Sequence, residues 1–320
     1  MIRRNLTIAA AAAALITTGS FSAIAANMTG ASCFPKGTYF SKTFEQFVPE
    51  LNGSGAGVTV KYVGGAPAIG SPFTLVQKAS KGVYGMVSCT GAYYQNVLPE
   101  ADAIKLIEVT NEELRQNGGM AYLEKLHAEK GLRYVGRILG YIPFHLYLNK
   151  KIDKPDLTGL HLRVAPIYTA FFKAMGATTQ RSNIAQVYSY MENGTVVGYG
   201  WPITGILPDW HKVTKYRVDP GFYSADINIM MSISAWNKLS AAQKKAVTDL
   251  AVKYEGLAKA FGSASTAAAA KQASQGIEAI TFSGADREKW LTTAREAGWA
   301  NVLERSPEHG AALKKLFTKQ

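Results

Sequence analysis

Apolar and polar positions alternate along this chain in two periods that take turns. Phe40, Phe44, Phe47, Val48 and Leu51 fall at helical spacing, the glycine-rich Asn52 to Gly57 breaks the pattern, and Val58 to Val63 follows as a strand. Ser71-Pro72 provides an N-cap and a first helical position for a helix to about Ser80, and Val83 to Cys89 is the next strand. Asn111 to Lys130 has the pattern of one amphipathic helix, and Arg133 to Leu139 and Phe144 to Leu148 those of two strands. The alternation then repeats from Asp156 to Pro202, where strand, helix, strand and helix succeed one another. Asp226 to Ser234 is an apolar strand, and Ser240-Ala241-Ala242-Gln243 is a capping box that opens an alanine-rich helix to about Gln275. Further helices are expected over 286–297 and 307–319. Strands alternating with helices predict an α/β protein with a largely parallel, doubly wound sheet.

Composition adds the scale. At 320 residues and 47% apolar, the chain can bury the cores of two ordinary domains. Arg3 and Arg4, the apolar run Leu6 to Ile16 and the small-residue site Ala23-Ile24-Ala25 predict a secretory signal peptide over 1–25, cleaved after Ala25. That run is shorter than the roughly 20 residues a membrane span requires. The formal charge is +12, of which Arg3 and Arg4 supply two. An excess of this size favours an anionic partner. Its scattered distribution has neither the basic helix nor the aromatic-interleaved stripe of nucleic-acid binding, so no nucleic acid is expected.

Export also bears on Cys33 and Cys89, which end two short strand-like runs and can face each other across adjacent parallel strands. A disulfide is the expectation, with two buried thiols as the alternative. Phosphate loops, zinc-binding His-Glu-x-x-His and nucleophile elbows are all missing from the sequence, and the five histidines are dispersed. Neither a catalytic residue, a cofactor nor a metal is therefore expected.

The positive signal is Arg163, which sits inside a strand between Leu162 and Val164 with no acidic neighbour in sequence. A guanidinium held away from water needs an anion, and its planar fork fits a carboxylate. Tyr93, Phe144, Tyr188, Trp201 and Tyr223 fall at strand ends or crossings that can face it. His145 sits where the chain passes between the two α/β units, so it too is a candidate for the ligand cleft.

The order and spacing of several segments resemble those of the DctP-type extracytoplasmic solute-binding proteins of TRAP transporters. These segments are Lys154 to Val164, Phe171 to Ala177, Val187-Tyr188, Asn193-Gly194, Gly198 and Trp236 to Ser240, with Val60 to Gly65 and the Pro99-Glu100 turn before them. The resemblance implies a two-domain periplasmic binding protein fold, hinged, with the ligand cleft between two α/β domains. Residues 26–140 with 227–266 would form the first domain, and 141–226 with 267–320 the second, including the C-terminal helices. It implies that Arg163, in the second domain, pairs with a ligand carboxylate. It also implies that small and large integral-membrane subunits are the partners.

Four positions depart from the better-known patterns. Phe144 stands where many relatives carry a second cleft arginine, Tyr93 and Thr90 where sialic-acid binders carry Arg and Glu, and Trp201 where those relatives carry Asn. Aromatic replacements favour a monocarboxylate with an apolar body, an aromatic or α-keto acid, over a C4-dicarboxylate or sugar acid. A ligand-sensing periplasmic protein and, more remotely, a secreted hydrolase or lyase using His145 or Cys33 are the rival expectations.

Overall fold

A computed structural model describes residues 25–319; the expected signal peptide lies almost entirely outside the described residues. Nine strands form one sheet: β1 (Ala26–Ser32), β2 (Val58–Gly65), β3 (Met86–Cys89), β4 (Leu132–Leu148), β5 (His161–Val164), β6 (Thr178–Arg181), β7 (Gly198–Pro202), β8 (Tyr216–Ser232) and β9 (Glu278–Thr281). Their order is β2-β1-β3-β8-β4-β7-β5-β6, with β9 also paired to β8. The flanks are parallel, as the alternation predicted: β1 with β2 and β3, and β5 with β6 and β7. The centre is not, because β4 and β8 run antiparallel to each other along their length.

Those two strands tie the molecule into two lobes. Their one half, Leu132↔Ser232 to Leu139↔Ile227, joins β3 and the first lobe; their other half, Phe144↔Phe222 to Leu148↔Tyr216, joins β7 and the second. The expected pair of strands over 133–148 is a single strand of 17 residues. Gly140 and Pro143 bend it without ending it, and the Pro143 carbonyl still accepts from Ile203 N at 2.9 Å. Between the halves the register shifts, and Tyr141 (φ 63°) and Tyr223 (φ 32°) take left-handed backbone, which is uncommon for bulky residues. The bend between lobes is located there.

Two helical expectations are also corrected. The helix expected over 111–130 is two helices, Asn111–Gln116 and Gly119–Ala128. Gly118 is left-handed (φ 86°), and the Asn117 side chain accepts from Gly119 N, so the break is built into Asn-Gly chemistry. The Ser240–Gln243 capping box is present, but its helix ends at Leu257, and a short turn leads into a second helix, Phe261–Ser274. The first holds the first lobe, where the Tyr254 hydroxyl donates to Glu50; the second holds the other, where Gln272 meets Tyr147, Ile203 and Arg217. The turn lets the chain make its third passage between lobes.

The last two helices bridge as well. Helix Gly284–Arg305 is fixed to the second lobe by Trp290 Nε1 donating to the Pro220 carbonyl, and to the first by Asn301 on Asp102 and Arg305 on Gln95. Helix Gly310–Phe317, assigned by sequence to the second domain, packs against the first instead. Phe317 is fully buried there, its carbonyl accepts from Glu108 N, and Asn117 donates to the Leu316 carbonyl.

Cys33 and Cys89 are bonded, as expected from their placement at the ends of β1 and β3. Cys33 therefore has no thiol to offer as a nucleophile. The bond also fixes the residues that follow each cysteine, Phe34 and Thr90, which reach the cleft between the lobes.

Candidate functional site

Between the lobes lies a narrow cavity walled by rings. Phe34, Phe40 and Tyr93 come from the first lobe, and Phe144, Tyr168 and Trp201 from the second. Thr90 and Asp226 are the polar side chains in its wall besides the tyrosine hydroxyls and the Trp201 ring nitrogen. Its free volume is about 20 Å³, room for about one water. A molecule larger than a water therefore enters only when the lobes part.

The rings are locked by one another. Tyr93 packs on Phe34 and Phe73 with centroids 5.4 and 5.0 Å apart, and Phe144 meets Tyr168 edge-on at 5.2 Å. Trp201 crosses the cleft to Phe40 at 5.9 Å, while its ring nitrogen donates to the Gly205 carbonyl. Gly200 makes room for the second wall: a Cβ there would stand 2.7 Å from the Tyr168 ring.

Arg163 is fully buried on β5, and among the described residues no carboxylate is bonded to it. Nε donates to the Ser182 hydroxyl at 3.1 Å and Nη2 to the Ser182 carbonyl at 2.6 Å, while Nη1 has no hydrogen-bond partner. Burial pulls its pKa below the ordinary guanidinium value, and its interactions with neighbouring Tyr93 and Tyr168 oppose that fall. Those two tyrosines line the cavity, so the guanidinium stands close behind its wall. Burial raises the pKa of Tyr93 while Arg163 works against it, which leaves the hydroxyl neutral and available for hydrogen bonding at neutral pH.

Thus Arg163, Tyr93, Thr90, Phe144 and Trp201 converge on one place. Three other candidates do not. His145 follows Phe144 on β4, and strand alternation turns it to the opposite face. There Nδ1 lies 2.9 Å from the Val218 carbonyl and 2.8 Å from the Asp219 carboxylate, in a buried group completed by Arg217. Burial acts to raise the Asp219 pKa, but the bonds from His145 and Arg217 outweigh it and hold that carboxyl well below its usual range. His145 is thus a structural member of the second lobe, and His145→Gln is expected to leave ligand affinity within about twofold while lowering the urea midpoint; a tenfold affinity loss by calorimetry would contradict this.

Tyr188 is half-buried on helix Val187–Glu192, where its hydroxyl donates to Glu192 and not into the cavity. Tyr223 points to the back of the molecule: its hydroxyl donates to the Ala294 carbonyl at 2.7 Å, and the Lys105 amine lies 4.7 Å from its ring centre. Both were placed near the cleft by sequence position, which does not fix the direction of a side chain.

Asp226 escaped the sequence reading because it opens an apolar strand. It is 1% exposed, and Oδ2 accepts from Gly91 N at 2.8 Å and from Asn228 Nδ2, while Oδ1 accepts from the Thr90 hydroxyl at 3.3 Å. Burial raises its pKa from 3.8 to about 6, with Gly91, Asn228, Arg137 and Thr90 holding it from rising further. Because the folded pKa exceeds the unfolded one, stability falls as pH rises from about 4 to 6 and stays low above that window. Asp226→Asn is expected to match the wild type near pH 3.5 and to exceed it at pH 7.5 by up to about 3 kcal/mol in urea unfolding. A difference independent of pH would remove the titration from the account.

The bacterial extracellular solute-binding protein family 7 (DctP) model matches residues 38–305. A solute-binding protein of Verminephrobacter eiseniae is 24% identical over 147 residues, which cover 45% of this chain and 41% of that relative. Among solved structures, an orotic acid-bound TRAP periplasmic solute-binding protein from Desulfovibrio salexigens superposes with a TM-score of 0.81 at 19% identity, covering 91% of this chain and 97% of that one. DctP7 of Bordetella pertussis, described as binding pyroglutamic acid, gives a TM-score of 0.78 at 17% identity over 92% and 99%. A galacturonate-bound protein from Sulfitobacter gives 0.78 at 21% over 90% and 98%. The family model matches most of the chain and the fold agrees with it: this protein belongs to the bacterial extracellular solute-binding proteins of family 7.

Proposed function

We propose that the chain captures an organic monocarboxylate in the periplasm, with an aromatic or α-keto acid favoured, and delivers it to the membrane subunits of a TRAP transporter. The observation that carries this reading is Arg163: a fully buried guanidinium with no acidic partner among the described residues and one nitrogen unbonded. A ligand carboxylate supplies the missing anion. The cavity wall in front of it is mostly aromatic and aliphatic, with Thr90 and Asp226 as its other polar side chains, which favours a flat apolar body over one rich in hydroxyls. Structural relatives with bound orotic acid, pyroglutamic acid or galacturonate support the carboxylate and leave the rest of the ligand to be found.

Capture works by population shift. Arg163 belongs to the second lobe and Tyr93 to the first, so an acid touching both gains its full contacts only when the lobes are shut. Thermal shift with benzoate, phenylpyruvate, succinate and glucuronate tests the substrate class. Stabilisation by the first two is expected; stabilisation by succinate or glucuronate alone would reject it.

One surface contact favours the shut form without touching the ligand. Arg181, at the end of β6, lies over the ring of Phe73 in the first lobe, 4.1 Å from its centre. Such an exposed pair is worth about 0.5–1 kcal/mol. Arg181→Ala is therefore expected to weaken binding by about two- to fivefold, mainly through faster ligand release in stopped-flow measurements. An unchanged release rate would argue against the latch.

A further inference from the structure

We propose that Asp226 is a second ligand contact, and that the acid held at Arg163 carries a hydrogen-bond donor, an N–H on its ring, directed at this carboxylate. The inference rests on the carboxylate reading above and extends it from one end of the ligand to the other.

A buried carboxylate in the wall of a ring-lined cavity is costly unless donors surround it. The donors to Asp226 are unevenly shared. Gly91 N and Asn228 Nδ2 both address Oδ2, and Oδ1 has a single long bond from Thr90. Asp226 and Thr90 line the cavity together, and Oδ1 is the oxygen on the Thr90 side. Arg137, opposite Asn228 on the neighbouring strand β4, lowers its pKa without bonding to it: Nε donates to Asn111, the guanidinium lies over the Tyr141 ring, and Nη1 and Nη2 make no hydrogen bond.

The surroundings hold the acceptor in place. Asn228 also accepts from the buried Tyr134 hydroxyl and donates to the Cys89 carbonyl, so its amide cannot turn. Gly91 is pinned because a Cβ there would stand 2.5 Å from the Ala101 carbonyl oxygen. A fixed acceptor of this kind discriminates strongly, since a ligand without the donor leaves a buried carboxylate unpaired. With a pKa near 6, the group is ionised at neutral pH and accepts without donating.

Asp226→Asn inverts this chemistry. The two donors at Oδ2 oblige the amide to put its carbonyl oxygen there, which leaves its NH₂ at the Oδ1 position, so an acceptor becomes a donor. The test uses matched acids that differ by one ring atom: pyrrole-2-carboxylate against furan-2-carboxylate, and the 3-carboxylates likewise, by calorimetry at pH 7.5. The wild type is expected to prefer a pyrrole acid over its furan partner by at least about tenfold. Asp226→Asn is expected to lose or reverse that preference. Equal affinity for pyrrole and furan acids in the wild type, a preference that survives in Asp226→Asn, or failure of all four acids to bind the wild type would each overturn the proposal. Arg163→Met separates the two readings: it is expected to weaken pyrrole and furan acids alike, and unchanged affinity there would sink the carboxylate clamp while leaving the ring preference to stand on Asp226.

Discussion

Arg163→Met is expected to weaken binding of the cognate acid by at least about tenfold and, at the same time, to raise the unfolding midpoint of the ligand-free protein. Binding falls because a charged hydrogen-bond pair is worth about 1.5–3 kcal/mol, more than the 1.4 kcal/mol that a tenfold change requires. Stability rises for the reason that makes the residue useful. A guanidinium shut away from water without a counter-charge costs several kcal/mol, and two bonds to Ser182 repay only part of that. Methionine fills a similar volume with no charge, and the Ser182 hydroxyl keeps its own bond to the Asn183 carbonyl. The exposed loss is the Ser182 carbonyl, at about 1–3 kcal/mol. Calorimetry and urea unfolding on the same preparation check both halves. Undiminished affinity would remove Arg163 from the site, and a large fall in midpoint would show that Ser182 outweighs the buried charge.

The other large effect is expected at the far wall. Replacing Cys33 and Cys89 together by alanine opens a loop with a sequence separation of 56. On the loop-entropy estimate this costs about 4 kcal/mol. Because Phe34 and Thr90 follow the two cysteines directly, the same change is expected to weaken ligand binding as well, by freeing one face of the cavity. Urea unfolding with and without reductant distinguishes the cases: reductant should shift the wild type and leave the double variant unmoved. A wild-type midpoint indifferent to reductant would mean that the strand ends are held by packing alone.

How far the sequence reached depends on what kind of signal each feature leaves. Ser71-Pro72 and Ser240 to Gln243 were readable because caps are local chemistry, and Cys33 and Cys89 because strand ends and export restrict them. Arg163 was readable because a charge between Leu162 and Val164 is an anomaly that periodicity exposes. Long-range facts were not. Gly140 and Pro143 look like a strand break, and only the partner strand β8 shows that β4 runs through them. Phe144 and His145 are neighbours that one pleat sends to opposite faces, so naming both as cleft residues had to fail for one of them. Asp226 left no trace because a single acid at the start of an apolar strand has the pattern of a boundary; its meaning comes from Gly91 and Thr90, more than a hundred residues away.

Helix Gly284–Arg305 gives the opening motion its mechanics. At 1.5 Å per residue its 22 residues make a rod of about 33 Å, bolted to the second lobe near Trp290 and to the first near Asn301 and Arg305. A rod held by each lobe at a different point along its length resists sliding of one lobe past the other and favours swinging, as a tongs does about its rivet. The pivot then lies on the side of Tyr141 and Tyr223, and displacement grows with distance from it. Arg181 and Phe73 meet across the lobes, so a swing that parts them also parts the cleft, which when shut has no room to receive a molecule.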